Sequence, residues 1–292
     1  MIQRLAIIGV GLIGGSLALA LKRCGLVEHV VGTGRGRANL ERALANGVID
    51  TVVDTPEQAV AGADMVVLAV PVGGMAAVFG SIAPALQDGA VLTDVGSTKQ
   101  DVVAAARTCL GARVRHFVPG HPIAGAETSG VAAAHADLFR GKDVILTPLP
   151  ENDEAFVARV RQMWQDCGAH VERMSAEDHD RVFAAVSHLP HLAAFALMDE
   201  LASRENSQEF FHHAGSGFRD FTRIAGSHAE MWRDIALANR EAIVAELDAY
   251  IERLTRIRDL VATADGAALM EILSRASHAR QHWAQGKTRT WK

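Results

Sequence analysis

The 292-residue chain has few cysteines, no excess of positive charge and no long apolar run, and each absence excludes a class of protein. Its three cysteines, Cys24, Cys109 and Cys167, are scattered without a C-x-x-C pair, which is typical of reduced thiols in a cytosol rather than of a disulfide framework. A net charge of −5 provides no electrostatic footprint for nucleic acid. No signal peptide and no run of eighteen uncharged apolar residues occur, so we expect a cytoplasmic protein with no membrane partner.

The chain is rich in apolar residues, at 49%, and these follow two different patterns. Up to about residue 175, short β-branched segments alternate with helical patterns, which predicts an α/β fold with a doubly wound, mostly parallel sheet. After Met174 almost only helical patterns follow. We therefore expect a dinucleotide-binding domain over residues 1–174 and an all-α domain over 175–292. Strands are predicted at 4–8, 29–32, 51–53, 65–70, 90–95, 114–118, 143–147 and 169–173, and helices at 12–24, 37–46, 73–87, 98–110, 153–167, 176–204, 228–262 and 266–284.

The helix predicted at 228–262 has consequences for assembly. It begins with a capping box, Ser227-x-x-Glu230, and about 35 residues is long for a helix within one globule. We expect it to pack along a second copy, so that the C-terminal helical domain forms a homodimer.

Residues 5–16 carry the most information about function. Four apolar residues lead into Gly9-x-Gly11-x-x-Gly14, and a helical pattern follows, which is the order of a dinucleotide-binding βαβ unit. In such a turn the free N–H groups of the helix start face a pyrophosphate. The residues assigned to cofactor binding are Gly9, Gly11, Leu12, Ile13, Gly14, Arg35, Val70 and Pro71.

An acid that would hold the ribose 2′-hydroxyl is missing from its usual place. Counting about twenty residues from Gly14 gives Gly34, which is followed by Arg35 and Arg37. An uncharged residue with an adjacent arginine is the pattern that admits a 2′-phosphate, so the expected cofactor is NADP, with NAD possible as well. The alternative is that both arginines are solvated loop residues.

Two loops follow predicted strands and contain candidate catalytic side chains. Ser97 lies in the turn Asp94-Val-Gly-Ser-Thr-Lys99, where it could equally be the N-cap of the next helix. His121 lies between glycine and proline in a segment with three glycines, which indicates a shaped loop. Because imidazole titrates near neutral pH, His121 is a candidate general base; the alternative is an ordinary surface histidine.

Two further groups of polar residues fall in the helical region. At 100° per residue, Asp180, Ser187 and His191 share one face of an apolar helix, so a ligand or a hydrogen-bond network should meet them. Pro190 should bend this helix, and it spoils the geometry of a metal site, so none is expected. Arg219 and Arg223, four residues apart, suit either salt bridges or a carboxylate clamp.

With these motifs the chain resembles the prephenate/arogenate (cyclohexadienyl) dehydrogenase family, over roughly residues 3–283. The resemblance rests on the glycine turn and on four strings, which are Asp94-x-x-Ser97-x-Lys99, Gly120-His121-Pro-Ile-Ala-Gly-x-Glu127, Ser187-His-Leu-Pro-His191 and Asp220-Phe-Thr-Arg223-Ile-Ala. It implies oxidative decarboxylation of a small cyclohexadienyl acid, with hydride transfer to a nicotinamide cofactor. At this length we expect no fused chorismate mutase or regulatory domain.

The family pattern also implies a role for each matching residue. His121 would draw the proton of the ring hydroxyl, with Ser97 supporting that contact. Arg223 would hold a substrate carboxylate, and Glu127, Asp180, Ser187 and His191 would shape the substrate pocket. Two other functions stay open: another dehydrogenase with a helical C-terminal domain, and a regulator that binds NADP without turnover.

Overall fold

The computed structural model describes residues 1–125, 128 and 130–286. Within them the chain divides into two compact units, one from Met1 to Ile243 and one from Val244 onward.

A six-stranded parallel sheet forms the centre of the first unit, with the strand order β3-β2-β1-β4-β5-β6. The strands are β1 (Ile2–Ile8), β2 (Val27–Thr33), β3 (Thr51–Val52), β4 (Met65–Leu68), β5 (Val91–Asp94) and β6 (Phe117–Val118). The chain starts in the middle of the sheet and reverses direction between β1 and β4, so a crevice opens at their carboxyl ends. The α/β fold predicted from the sequence is confirmed.

Both faces of this sheet are buried, which explains why its strands read as nearly continuous apolar runs. Along β1, Leu5 and Ile7 face one apolar cluster while Ala6 and Ile8 face the other. The same alternation occurs along β4. Each fully buried Ile, Leu or Val contributes on the order of 1.5–3 kcal/mol relative to an exposed one. The two clusters therefore fix the sheet on which the site is built.

Helices cover the two faces of the sheet. They are α1 (Leu12–Arg23), α2 (Arg37–Ala45), α3 (Pro56–Val60), α4 (Met75–Ile82), α5 (Gln100–Leu110) and α6 (Glu154–Asp166). Buried residues of α1, α2 and α6 belong to one cluster and those of α3, α4 and α5 to the other. The short helix α3 was not predicted, although Thr55 begins it with a capping box to Gln58.

A second, three-stranded sheet corrects two expectations. It consists of β7 (Gly120–Pro122), β8 (Asp143–Leu146) and β9 (His170–Arg173), with β7 antiparallel to β8. The last two predicted strands thus lie outside the main sheet. His121 lies in a strand rather than in a loop, because its neighbours Gly120 and Pro122 also pair with β8.

After Met174 the structure is helical. The helices are α7 (Ala176–Phe183), α8 (Leu189–Ala202), α9 (Ser207–His212), α10 (Ser216–Thr222), α11 (Ala229–Ala238), α12 (Arg240–Ala262) and α13 (Gly266–Ala284). A π-helical turn, Ala184–His188, joins α7 to α8, and Pro190 is the second residue of α8. Such turns are frequent at functional sites.

The predicted helix of about 35 residues is wrong, because the helix is interrupted at Asn239 between α11 and α12. The side chain of Asn239 binds the carbonyl oxygen of Asp180 at 2.8 Å, so a tertiary contact coincides with the break. The predicted capping box is also wrong. His228 is the N-cap of α11, and the Ser227 hydroxyl instead donates to the Ile224 carbonyl.

Among the described residues, Ala176–Ala202 is long and apolar enough to cross a membrane by length and composition alone. It contains the buried polar residues Asp180 and His188, which are hydrogen-bonded inside the protein. These internal hydrogen bonds tie the stretch to the rest of the folded unit.

Candidate active site

The glycine turn between β1 and α1 has the geometry that a dinucleotide requires. Gly9 has a φ of +102°, and a Cβ there would lie 2.3 Å from the Ala69 carbonyl oxygen. A Cβ on Gly14 would lie 2.5 Å from the Gly9 carbonyl oxygen, so neither position admits a side chain. A Cβ on Gly11 would meet no atom within 4 Å. The space above Gly11 is therefore open to a ligand.

That space belongs to a cavity of about 880 Å³ at the carboxyl edge of the main sheet. Its lining includes Gly9, Gly11, Arg35, Val70 and Pro71 from the predicted cofactor set. The side chains of Leu12 and Ile13 instead pack against the core. Only their backbone N–H groups, in the first turn of α1, could face a bound anion.

The two arginines after β2 have different surroundings. Arg35 is exposed at the edge of the cavity, and no hydrogen bond to another described residue holds its guanidinium. Arg37 binds Asp54 at 3.0 Å and Glu41 at 3.1 Å and does not line the cavity. Of the pair, only Arg35 is placed to meet a cofactor phosphate.

The turn between β5 and α5 is built on a buried ion pair. Lys99 and Asp94 are both fully buried, with Nζ and Oδ2 2.5 Å apart. Asp94 also accepts from the backbone N–H of Gly96 and of Gly120, and Lys99 donates to the Gly120 carbonyl oxygen at 2.7 Å. This pair ties the end of β5 to the start of β7, directly beside His121.

Ser97 lies within the same turn and is half-buried. It is not the N-cap of α5, because the helix begins only at Gln100 and Lys99 occupies the cap position. The structure brings its turn next to the strand of His121, but the Ser97 hydroxyl makes no hydrogen bond to another described residue.

Asp180 binds two backbone N–H groups at the start of α5, those of the N-cap residue and of the first helical residue. Its two carboxylate oxygens accept from the backbone N–H groups of Lys99 and Gln100, both at 2.8 Å. A third bond comes from His179, whose Nδ1 lies 2.8 Å from Asp180 Oδ1. Asp180 is only 1% exposed. This corrects the expectation that Asp180 faces the substrate pocket, because its carboxylate is occupied inside the protein.

His179 connects Asp180 to His121. The Nε2 atom of His179 lies 2.8 Å from Nδ1 of His121, and the ring of Phe183 packs against both imidazoles at 4.5 and 5.0 Å. His179 is fully buried, whereas His121 is half-buried. Sequence reasoning did not assign His179 a role. The available signal was the pairing of a histidine with an aspartate near the start of an amphipathic helix.

The protonation states in this cluster follow from burial. Burial, the neighbouring His179 and the charge of Lys99 hold the pKa of His121 well below its ordinary value. Burial also lowers the pKa of His179, although the bond to Asp180 opposes the shift. Burial alone would raise the pKa of Asp180, but the bonds from His179 and the α5 backbone lower it overall. At neutral pH both imidazoles are therefore neutral and Asp180 is ionised.

His188 lies beneath this cluster. It is buried, its Nδ1 accepts from the side chain of Asn239 at 3.2 Å, and burial lowers its pKa to about 4. The same Asn239 amide binds the backbone of Asp180, so this one residue after α11 holds the π-helical turn and α7 together.

His191 forms a second group with Trp232. Their rings stack at 3.8 Å and 21°, and Nδ1 of His191 donates to the Ser187 carbonyl oxygen at 2.9 Å. Burial lowers the pKa of His191, and the nearby positive charge of Arg223 lowers it further. The structure thus brings Ser187, His191 and Arg223 into one neighbourhood, but Asp180 points away from it.

Arg223 also lines a smaller cavity of about 460 Å³, bounded by α8, α9 and α10. Arg219 lines the same cavity, together with Met198, Phe211 and Phe218. The two arginines therefore face a shared, partly apolar space. Glu127, which the motif placed beside the substrate, lies outside the described residues.

Comparisons with known proteins agree with this architecture. A family model described as "Prephenate dehydrogenase, nucleotide-binding domain" matches residues 17–173, and one described as "Prephenate dehydrogenase, dimerization domain" matches residues 175–275. The chain belongs to the prephenate dehydrogenase family. The resemblance seen in the sequence motifs is confirmed.

Relatives of this family member align over most of its length. It is 36% identical to the cyclohexadienyl dehydrogenase of Zymomonas mobilis, over 95% of either chain. It is 38% identical to the prephenate dehydrogenase of Bacillus subtilis, over 93% of this chain and 74% of the relative. A crystal structure of prephenate dehydrogenase from Aquifex aeolicus, in complex with hydroxyphenyl propionate and NAD+, superposes with a TM-score of 0.89 at 36% identity, covering 97% and 98% of the two chains.

Proposed function

We propose that this family member catalyses the NAD(P)-dependent oxidative decarboxylation of prephenate, arogenate or both, to 4-hydroxyphenylpyruvate or tyrosine, in tyrosine biosynthesis. The observation that carries the proposal is His121, a neutral imidazole at the carboxyl edge of the sheet, where the glycine turn and its cavity also lie. The relatives from Zymomonas mobilis and Bacillus subtilis, a cyclohexadienyl dehydrogenase and a prephenate dehydrogenase, support the same reaction class.

A nicotinamide cofactor held at the glycine turn would supply the acceptor for the hydride that leaves the hydroxyl-bearing carbon of the substrate ring. His121 takes the proton of that hydroxyl, because a neutral imidazole has a lone pair for it. Loss of carbon dioxide then leaves an aromatic ring. Ser97, in the turn tied to β7 through Asp94 and Lys99, supports the hydroxyl contact.

Substrate binding is assigned to the region around α10. Arg223 holds a carboxylate of the substrate, since a guanidinium grips a carboxylate through two parallel hydrogen bonds. Glu127, Ser187 and His191 shape the pocket around the ring. The stacking of His191 on Trp232 and the charge of Arg223 beside it support this assignment.

NADP is the preferred cofactor in this proposal. Gly34 supplies no carboxylate to bind a ribose 2′-hydroxyl or to repel a 2′-phosphate, and Arg35 lies at the edge of the cavity. Asp54 also lines the cavity, but its charge is balanced by Arg37 at 3.0 Å.

We further propose that residues 1–174 bind the cofactor and that residues 175–292 form the substrate and dimerisation domain of a cytoplasmic homodimer. In the second unit, α12 exposes an apolar stripe of Val244, Ile251, Leu254 and Val261, spaced by seven, three and seven residues. Such a stripe faces a partner in coiled-coil packing. Light scattering at micromolar concentration should give the mass of two chains, and the mass of one would contradict this part.

The reaction is tested by mixing the protein with each of the two acids and each of the two cofactors, and following absorbance of the reduced nicotinamide. We expect turnover in at least one of the four mixtures, with NADP used at least as well as NAD. His121→Asn should lower kcat by about 10²–10⁴ while cofactor and substrate still bind. Cofactor binding without turnover in any mixture would instead indicate an NADP-binding regulator. A His121→Asn kcat within threefold of wild type would show that His121 is only structural.

A further inference from the structure

The hydrogen-bonded chain from His121 through His179 to Asp180 fixes the position of each proton. Asp180 is ionised and can only accept, so Nδ1 of His179 must donate to it. A neutral imidazole has one N–H, so Nε2 of His179 is an acceptor. Nδ1 of His121, 2.8 Å away, must therefore carry the proton of that bond. The lone pair of His121 is then on Nε2.

We infer that His179 and Asp180 are positioning residues, which hold His121 in the Nδ1–H tautomer so that Nε2 accepts the substrate hydroxyl proton. The inference rests on the proposed function, because it gives His121 the role of base. The proton moves from the hydroxyl oxygen to Nε2 of His121, while Nδ1 keeps its own proton. The cation that forms on His121 is stabilised by Asp180 through His179.

The surroundings hold the chain in one orientation. Lys99 and Gln100 bind the two oxygens of Asp180 from the start of α5, and Asn239 binds its backbone. The carboxylate therefore cannot rotate without breaking backbone contacts to another helix. Phe183 packs against both rings and limits their rotation as well. Three further ionisable groups, Lys99, His188 and Asp94, act electrostatically on these rings.

Two substitutions of His179 separate positioning from folding. Leucine offers no acceptor to His121, so His179→Leu should lower kcat by about 10²–10³ with the substrate KM changed less than threefold. Glutamine places an amide oxygen near the position of Nε2, so His179→Gln should recover at least tenfold of that loss. If His179 were merely structural, kcat would not recover when glutamine restores a hydrogen-bond acceptor for His121.

His116 provides a matched control. It is another buried histidine, with Nδ1 bound to the Ala90 carbonyl oxygen at the amino end of β5, away from the carboxyl edge. His116→Gln should keep kcat within threefold even if it lowers Tm as much as His179→Gln does. Thermal unfolding of all variants checks that the comparison is made between folded proteins.

Nitrogen NMR of protein with ¹⁵N-labelled histidine tests the tautomer directly and needs no substrate. The spectrum of His121, identified by its loss in His121→Asn, should show a protonated Nδ1 and an unprotonated Nε2 near neutral pH. The amide in Asp180→Asn can donate as well as accept. In this variant the His121 signals should therefore report a mixture of the two tautomers, or the Nε2–H tautomer. The inference is overturned by a protonated Nε2 in the wild type, by a His179→Leu kcat within threefold, or by glutamine performing no better than leucine. Absence of turnover in the wild type would refute the proposed function, whereas the NMR result would still decide the tautomer.

Discussion

The choice between NADP and NAD gives the sharpest test of the site, because it depends on two neighbouring positions. Arg35 offers a positive charge to a 2′-phosphate, and Gly34 lacks the carboxylate that would bind a 2′-hydroxyl. We expect Arg35→Ala to reduce the preference for NADP over NAD. A hydrogen bond between charged groups contributes about 1.5–3 kcal/mol. Since Arg35 is exposed at the cavity edge and screened by salt, we take the lower end, which corresponds to roughly tenfold in kcat/KM for NADP. The value for NAD should change less than threefold.

The reverse substitution adds what the turn lacks. A Cβ on Gly34 would have no neighbour closer than 3.9 Å, so Gly34→Asp should be accommodated without moving the turn. Its carboxylate should bind the ribose 2′-hydroxyl of NAD and repel the 2′-phosphate of NADP, reversing the preference.

The assay is kcat/KM for each cofactor at saturating substrate, repeated at two salt concentrations. Arg42→Ala is the matched control, because Arg42 is an exposed arginine on α2 that does not line the cavity. Arg37 is less suitable, since its removal would uncover Asp54. Strict use of NAD by the wild type, or the same kcat/KM ratio in Arg35→Ala and Arg42→Ala, would refute the reasoning.

Arg223→Ala should raise the substrate KM by the equivalent of about 2–4 kcal/mol with a smaller effect on kcat, measured by initial rates at saturating cofactor. Arg204→Ala, which removes an exposed ion pair with Glu200, is the control and should leave KM unchanged. A larger rise of KM in Arg219→Ala than in Arg223→Ala would identify Arg219 as the binding arginine instead. Lys99→Met should destabilise the protein by about 3–5 kcal/mol, because it leaves Asp94 buried without its cation, whereas Arg204→Met should cost at most about 1 kcal/mol. Thermal unfolding compares the two, and equal Tm values for both variants would show that the buried pair stabilises no more than an exposed one.

Local signals predicted the parts of the fold that depend on local chemistry. The glycine turn could be predicted because Gly9 and Gly14 are required by contacts with Ala69 and with each other. The strands of the main sheet could be predicted because both of their faces are buried. Strand β7 was missed because it has only three residues, among them a glycine and a proline, and it exists through pairing with β8.

Features set by distant contacts could not be predicted in this way. A regular rotation of 100° per residue places Asp180 on one face with His191, but the π-helical turn lies between them and the start of α5 binds the Asp180 carboxylate. The break at Asn239 involves partners about fifty to sixty residues away in the chain. Ser227 had the spacing of a capping box, yet its hydroxyl closes the turn before it. For Asp180 and Asn239 a tertiary hydrogen bond decided between two locally acceptable structures, and for Ser227 a local bond to the residue three positions earlier did so.

The π-helical turn fixes how Asp180 in α7 and His191 in α8 are oriented relative to each other, so the number of residues between them matters for the site. An α-helix rotates by about 100° per residue, and the wider turn at Ala184–His188 changes the angular phase of everything after it. It lets Asp180 face α5 while His191 faces Trp232. Deleting one residue there would leave composition and hydropathy almost unchanged. It would nevertheless rotate His191 and Trp232 away from their present orientation relative to His179 and Asp180, although each pair could stay intact.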